Sequence, residues 1–112
     1  MEIREERVKE GYAIELIGRL DATSAPQLEE RLSKLLADGK TSFLMDLEEL
    51  DYISSVGLRV LLALAKKAKS AEGQVILCCL QEHIQEVFEI AGFTVIFPIY
   101  STRNGCISAL AQ

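Results

Sequence analysis

Hydrophobic residues recur along the chain with two spacings, and these spacings predict alternating strands and helices. Five short segments are either continuously apolar or alternate loosely between apolar and polar residues, as strands do. They cover residues 3–8, 12–17, 42–47, 74–80 and 95–100. Four other segments repeat apolar residues every three or four positions, which is typical of amphipathic helices. They cover residues 24–38, 55–71 and 84–91 and the end of the chain after residue 102.

The resulting order of elements, β-β-α-β-α-β-α-β-α, predicts an α/β fold. Strands that alternate with helices pair mainly in parallel, and the charged first strand is expected to add at an edge. We therefore expect a single domain over residues 1–112 with a mixed, mainly parallel sheet of about five strands. The four helices are expected to lie largely on one face of that sheet.

Two strands carry further information about their place in the sheet. The continuous apolar run of residues 74–80 is typical of a strand covered on both faces, so we expect it to be central. Cys78 and Cys79 are expected to point to opposite faces of this strand, as small buried hydrophobic side chains. Pro98 lacks a backbone donor and therefore predicts an edge position for the last strand.

Helix start signals stand before the first two helices. Ser24 is a candidate N-cap, with Gln27 three residues later as in a capping box and Pro26 in the first turn. The second helix begins at Ser54 and Ser55, either of which is a candidate N-cap. Four acids precede it in a predicted loop: Asp46, Glu48, Glu49 and Asp51.

Composition narrows the functional classes. The 112 residues include 17 acidic and 12 basic side chains, a net charge of −5, so the basic surface that nucleic acids require is not expected. No apolar run approaches the roughly 20 residues that span a bilayer, and the charged N-terminus is unlike a signal peptide. Three cysteines, two of them adjacent, give neither a disulfide framework nor a zinc-ligand spacing. We therefore expect a reduced, cytoplasmic protein without nucleic-acid or membrane partners.

The segment 46–62 is the strongest candidate for function. It places the end of a strand, an acidic loop, two serines and a glycine at the start of the longest helix, the end of an open α/β sheet where function concentrates. A helix N-terminus favours an anion, and Gly57 permits close approach of another backbone or ligand. In the simpler interpretation, Ser54 or Ser55 is only an N-cap worth about 1 kcal/mol, and the acids form a solvated loop.

The same segment carries a family resemblance. Residues 51–62, Asp-Tyr-Ile-Ser-Ser-Val-Gly-Leu-Arg-Val-Leu-Leu, resemble the signature of the STAS domain, the fold of bacterial anti-sigma factor antagonists. Gly-Arg-Leu-Asp at 18–21 and Asp-Leu at 46–47 resemble two further landmarks of that family. The C-terminal segments 92–93 and 97–101 match its pattern as well, so the resemblance extends over the whole order of elements.

This resemblance implies a binding module and not an enzyme. Unphosphorylated antagonists of the family bind an anti-sigma factor that is also a serine kinase, phosphorylated antagonists release it, and a serine phosphatase resets them. Carried over, the phosphoacceptor is Ser55, with Ser54 as the reserve. The partner-binding residues are then Asp21, Ser54, Ser55, Val56, Gly57 and Arg59.

One departure from the family pattern bears on the acceptor. Many antagonists carry serine or threonine immediately before the glycine, where this chain has Val56, which cannot be phosphorylated. The pattern Ile-Ser-Ser-small-Gly-Leu-Arg resembles another branch of the family in which the second serine is the acceptor. That branch favours Ser55.

Two alternative functions compete with a binding module that is switched by serine phosphorylation. The first is a STAS scaffold module in a stressosome-like complex. The second is a small α/β enzyme or nucleotide-binding protein, but the chain contains no Gly-x-Gly-x-x-Gly, Walker-type Lys-Ser/Thr or paired acid–base motif. We therefore expect no catalytic residue, cofactor, metal site or small-molecule substrate, and we expect His83 to be a surface histidine. The identity of the kinase and the regulated pathway, transcription or secretion, stays open.

Overall fold

The computed structural model describes residues 1–110, in which six strands and four α-helices form one layered α/β unit. The strands are β1 Glu2–Val8, β2 Gly11–Leu20, β3 Ser42–Asp46, β4 Leu50–Ile53, β5 Gln74–Cys78 and β6 Ile99–Tyr100. The helices are α1 Ala25–Ala37, α2 Ser55–Ser70, α3 Glu82–Ile90 and α4 Arg103–Leu110. The predicted domain runs to residue 112, and residues 111 and 112 lie outside the described part of the chain.

The sheet is mixed and mainly parallel, which confirms the predicted fold class. Its main path runs β1-β2-β3-β5-β6, and β4 pairs with β2. Only the β1–β2 pair is antiparallel among the pairings of residues 1–110. The middle strand of the path is β3, and β5 is an interior strand beside it instead of the central strand we expected.

The two faces of the sheet are covered unequally. Helices α1, α2 and α3 bury the main hydrophobic core against one face, where Leu28, Leu61 and Phe88 are fully buried. Of the helices in residues 1–110, only α4 packs on the other face, over a smaller cluster. This second cluster comprises Ala13, Leu44, Ile76, Cys78, Cys106 and Leu110.

Strand β4 replaces the loop predicted after β3. Leu50 and Ile53 are buried at its ends, whereas Asp51 and Tyr52 between them are exposed. This pattern lacks strict alternation, and a four-residue strand is too short to give a clear sequence signal. The strand extends the parallel pairing of β2 beyond β3 and leads directly into α2.

The last predicted strand is much shorter in the structure. Residues Phe93–Val95 form a short 3-10 helix, and only Ile99–Tyr100 pair with β5. Phe97 packs edge-on against Phe88 with ring centroids 6.1 Å apart, while Val95 is 89% exposed. Within this apolar run, Phe97 therefore packs into the core, Val95 and Ile96 stay exposed, and only the last two residues pair in the sheet.

The start of α1 differs from the predicted capping box. Ser24 is the N-cap residue, but its side chain makes no capping hydrogen bond. Its Oγ donates to the Arg19 carbonyl at 2.7 Å and accepts from the Asp21 N–H at 3.0 Å. Pro26 does lie in the first turn, as predicted. The serine thus stabilises the turn that precedes the helix.

Cys78 and Cys79 do not lie on opposite faces of β5. The strand ends at Cys78, and Cys79 has a φ of +66°. The left-handed backbone turns the second thiol back, so that both Sγ atoms and a carboxylate oxygen of Asp46 lie within 4.8 Å of one another. The predicted alternation fails because it holds only while the strand continues.

Candidate functional site

The N-terminus of α2 is organised by Ser54. Its backbone is extended, and its Oγ accepts a hydrogen bond from the Gly57 N–H at 3.2 Å, so Ser54 is the N-cap. Its own N–H donates to the Leu20 carbonyl at 2.9 Å. The same residue therefore caps the helix and joins its start to the end of β2.

Ser55 occupies a different environment from its neighbour. It is the first residue of α2 and is exposed, whereas Ser54 is half-buried. Arg59 lies four residues further along the helix and is also exposed, so the two residues share one stripe of the helix surface. The hydroxyl of Ser55 and the guanidinium of Arg59 are therefore both accessible to solvent on the same side of α2.

Gly57 allows α2 to approach the end of β2 closely. A Cβ atom at this position would lie 2.7 Å from Cγ of Leu20 and 3.0 Å from the Leu20 carbonyl oxygen, closer than van der Waals contact permits. Val56 beside it is half-buried and packs against the main core. Gly57 and Val56 therefore fix the position of the helix start, with Gly57 buried and Val56 partly exposed.

Asp21 lies in the turn immediately after β2, next to the start of α2. Its Oδ1 accepts hydrogen bonds from the N–H groups of Ser24 and Thr23 at 3.1 and 3.0 Å. The hydrogen bond from Ser24 first, and then those from Thr23 and the charge of Arg19, lower the pKa of the Asp21 carboxyl. Asp21 is therefore an ionised group held in a fixed turn.

Arg19 and Tyr52 form an additional feature between the Asp21 turn and α2. They are paired residues of β2 and β4, and the Arg19 guanidinium carbon lies 4.2 Å from the centre of the Tyr52 ring. Both side chains are exposed, Tyr52 by 40%. Our sequence analysis missed this pair. The sequence signal was present in the arginine of Gly-Arg-Leu-Asp and the aromatic residue before Ile-Ser-Ser.

Residues at the start of α3 make hydrogen bonds to the backbone of β4 and of the turn before it. Gln81 Nε2 donates to the Glu48 carbonyl at 2.8 Å, and Nε2 of His83 lies 2.6 Å from the Asp51 carbonyl oxygen. His83 is exposed, as predicted, and holds this loop. The segment before α2 is therefore held by hydrogen bonds from a neighbouring element.

The four acids of the predicted loop separate in the structure. Glu48, Glu49 and Asp51 are exposed, whereas Asp46 is only 4% exposed. The Asp46 carboxylate pairs with Arg103 of α4 at 3.2 Å, and its other oxygen accepts from the Glu48 N–H at 3.1 Å. Asp46 therefore belongs to the sheet face under α4 and not to the solvated loop.

We define the docking surface as the exposed and half-exposed side chains around the start of α2. Most of the predicted site residues lie close together on this surface, because β2 and β4 end side by side and the Ser54 N–H donates to the Leu20 carbonyl. Its members are Arg19, Asp21, Tyr52, Ser54, Ser55, Val56 and Arg59. Gly57 is buried beneath it.

Comparison with known sequences assigns this architecture to a family. The family model of the STAS domain matches residues 3–106. The chain is 43% identical over 94 residues to BtrV of Bordetella bronchiseptica, a protein named as a candidate anti-sigma factor antagonist, and the match covers 84% of this chain and 81% of BtrV. The chain belongs to the STAS-domain family.

Solved structures share the fold. An anti-sigma factor antagonist from Mycobacterium paratuberculosis superposes with a TM-score of 0.90 at 22% identity, covering 99% of this chain and 94% of its own. The anti-sigma factor antagonist SpoIIAA from Bacillus superposes with TM-scores of 0.78 in its unphosphorylated form and 0.77 in its phosphorylated form, at 21% and 22% identity. The two forms cover 98% and 97% of this chain, and 98% and 99% of their own. Over residues 1–110, none of the helices combines the length and apolar character needed to cross a membrane.

Proposed function

We propose that this chain is an anti-sigma factor antagonist whose binding is switched by phosphorylation of Ser55. The name of BtrV supports the class of function. The observation that carries the assignment of the switch is the contrast between two adjacent hydroxyls. Ser55 is exposed at the first position of α2, while Ser54 is committed to the N-cap hydrogen bond.

Ser54 is the weaker acceptor for a steric reason. Its Oγ faces the first turn of α2, 3.2 Å from the Gly57 nitrogen, and Gly57 itself is buried against Leu20. A phosphoryl group on this oxygen would have to fit against the packed helix start. Ser55 leaves the capping bond intact when it is modified.

In this proposal the docking surface binds an anti-sigma factor that is also a serine kinase, and a serine phosphatase removes the phosphate. The ionised Asp21 carboxylate, the Arg19–Tyr52 pair and Arg59 offer charged and aromatic contacts around Ser55. The kinase and its metal ion carry out the phosphoryl chemistry, so this chain acts as a substrate and ligand and not as an enzyme.

The remaining parts of the proposal concern its setting. Residues 1–112 act as one STAS domain in the cytoplasm, and the switch itself uses no cofactor, nucleic acid, membrane or small-molecule substrate. The net charge of −5 supports the absence of a nucleic-acid partner. The partner is a protein whose surface contacts the docking surface, with the phosphorylatable hydroxyl of Ser55 at the centre of the contact.

A two-stage experiment tests the function and the acceptor. The unmodified protein is first used to capture a serine kinase from extracts of its own cells, and the kinase is then purified and incubated with the protein, Mg²⁺ and ATP. We expect an intact-mass gain of one phosphate, with phosphopeptide mapping to Ser55. Capture of no kinase, or a phosphate on Thr23 or Ser101 alone, would contradict the proposal.

Matched variants separate the two serines. Ser55→Ala is expected to bind the kinase and to take no phosphate, because only the hydroxyl is removed. Ser55→Thr restores a hydroxyl at the same position and is expected to restore labelling. Ser54→Ala is expected to be labelled at Ser55, with the helix start weakened by about 1 kcal/mol. Full labelling of Ser55→Ala would move the acceptor to another residue.

A further inference from the structure

A cluster of metal-ligating side chains lies away from the docking surface, on the sheet face under α4. The Sγ atoms of Cys78 and Cys79 and one carboxylate oxygen of Asp46 all lie within 4.8 Å of one another. Asp46 and Cys78 are the last residues of the paired strands β3 and β5 and are Cα partners in the register. The positive φ of Cys79 brings the third group in.

The separation of these atoms is close to that of a tetrahedral metal site. Zinc bonds thiolate sulfur at about 2.3 Å and carboxylate oxygen at about 2.0–2.2 Å, which holds sulfur ligands roughly 3.7 Å apart. The ligand atoms lie within 4.8 Å of one another, so the sulfur atoms are at most roughly 1 Å further apart than this geometry requires. Two thiols and one carboxylate match the borderline-soft character of zinc.

The surroundings supply an outer shell and an access route. Arg103 donates to Oδ2 of Asp46 at 3.2 Å, and the Glu48 N–H donates to Oδ1 at 3.1 Å, which leaves a second lone pair on each oxygen. Cys79 is half-buried and lines an open cavity of about 310 Å³ together with Tyr100 and Ser101. Such outer partners orient metal ligands and tune their affinity.

We propose that Asp46, Cys78 and Cys79 form a binding site for one zinc ion. Binding converts both thiols to thiolates, so each zinc–sulfur bond that forms releases one proton to solvent. The two charges of zinc and the one charge of the Arg103 guanidinium then balance two thiolates and one carboxylate. A water molecule occupies the fourth position.

Glu15, the partner of Asp46 across β2 and β3, adds a further carboxyl on this side of the sheet.

The zinc site goes beyond the proposed function and is independent of it. It depends on Cys79 and its neighbours, whereas the phosphorylation switch depends on Ser55. It also departs from our sequence-based expectation of no metal site. That expectation rested on the number and spacing of the cysteines along the chain, whereas the structure brings Cys78, Cys79 and Asp46 together in space.

The test uses the whole protein, reduced with a phosphine and freed of metal. Zinc chloride alone is titrated in weakly buffered solution, with metal analysis after gel filtration. We expect one equivalent of zinc to stay bound, two protons to be released per zinc and the melting temperature to rise. Cobalt(II) in place of zinc is expected to give a thiolate-to-cobalt charge-transfer band. Loss of all zinc on gel filtration would overturn the proposal.

Variants identify the ligands. Cys79→Ser is expected to weaken zinc binding by about tenfold or more and to lower the charge-transfer intensity. Asp46→Asn and Cys78→Ala should do the same where they fold. The control is Ser33→Ala, because Ser33 is exposed on α1, on the opposite face of the sheet. Unchanged affinity in Cys79→Ser, or an equal loss in Ser33→Ala, would overturn the assignment.

Discussion

Adjacent residues at the start of α2 have separate physical tasks. Ser54 caps the helix, Ser55 faces solvent, and Gly57 removes the volume that would otherwise hold the helix away from β2. The distinction follows from the extended backbone of Ser54, which aims its hydroxyl at the helix while the next residue already follows the helical path. These three residues thus combine rigid support with one accessible hydroxyl.

Gly57→Ala is expected to destabilise the protein. The new Cβ would lie 2.7 Å from Leu20 Cγ and 3.0 Å from the Leu20 carbonyl oxygen, so helix or strand must shift. We expect the free energy of unfolding to fall by about 1–3 kcal/mol, outweighing the better helix propensity of alanine. Urea unfolding measures it, with the exposed Ser55→Ala as the matched control. Equal stability of Gly57→Ala and the native protein would contradict the packing.

Local sequence patterns predict some features of the residues around the start of α2 but not others. The two serines and Gly57 were recognised as the start of a helix, because caps and small residues have local signatures. Which serine caps, and which is exposed, depends on backbone direction, which residue types do not encode. Asp21 was associated with the site by resemblance, and its hydrogen bonds in the turn depend on tertiary placement.

At the scale of elements, long periodic segments were predictable and short ones were not. The four helices and the first four predicted strands lie near their expected places, because each is defined by many apolar positions. Strand β4 was missed since half of its four residues are exposed, and β6 was predicted too long since Val95 and Ile96 are apolar yet exposed. Such cases are decided by contacts with neighbouring elements.

A charged contact joins the edge strand β1 to helix α1. The Glu5 carboxylate accepts hydrogen bonds from the Arg31 guanidinium and, at 3.1 Å, from the Tyr12 hydroxyl. Hydrogen bonding from Arg31 outweighs burial and lowers the pKa of Glu5 below its ordinary value of 4.5. A carboxyl with a lowered folded pKa contributes stability above its unfolded pKa, and this contribution is lost as the pH falls through the folded pKa.

Glu5→Gln is therefore expected to lower the free energy of unfolding at neutral pH by about 1 kcal/mol. The difference from the native protein should shrink as the pH falls below 4.5, where the native carboxyl takes up its proton. Urea unfolding over a pH series measures this. Glu15→Gln is the matched control. Because burial first and Asp46 second raise the pKa of Glu15, this substitution is expected to raise the free energy of unfolding at neutral pH. A pH-independent difference for Glu5→Gln would disprove the contact.

At the scale of the whole molecule, the sheet separates two faces that are packed differently. The face covered by α1, α2 and α3 contains the main core, and the docking surface lies at the start of α2. The face covered by α4 contains the smaller core and the cluster of Asp46, Cys78 and Cys79. The interior strand β5 contributes to both, since Leu77 belongs to the main core and Ile76 to the smaller one. Damage to this strand should therefore affect the entire fold.

Ile76→Asp tests the interior position of β5. Ile76 is 2% exposed and packs in the cluster under α4. An unpaired carboxylate there costs several kcal/mol, comparable with the roughly 5–15 kcal/mol margin of a whole domain. We expect loss of the folded circular-dichroism spectrum or a large fall in the melting midpoint. Asn104→Asp, exposed in the first turn of α4, is the control with an added carboxylate. A native midpoint in Ile76→Asp would exclude this strand order.

Phosphorylation of Ser55 is expected to abolish binding without unfolding the molecule. The phosphate adds about −1.5 to −2 charges at neutral pH, and at the N-terminus of α2 it meets the positive end of the helix dipole, a gain of roughly 0.3–1 kcal/mol. Arg59, four residues along the same helix stripe, adds attraction. The free protein should therefore melt at the same temperature or higher.

The loss must then arise in the complex, where the kinase surface would bury the dianion without a matching positive charge. A penalty of about 2.8 kcal/mol already weakens binding a hundredfold. Thermal melting and a kinase-binding titration of the phosphorylated and unmodified proteins separate the two effects, with Ser55→Ala as a control that should retain binding. A clearly lower midpoint accompanying the lost affinity would mean that the switch acts by melting the start of α2.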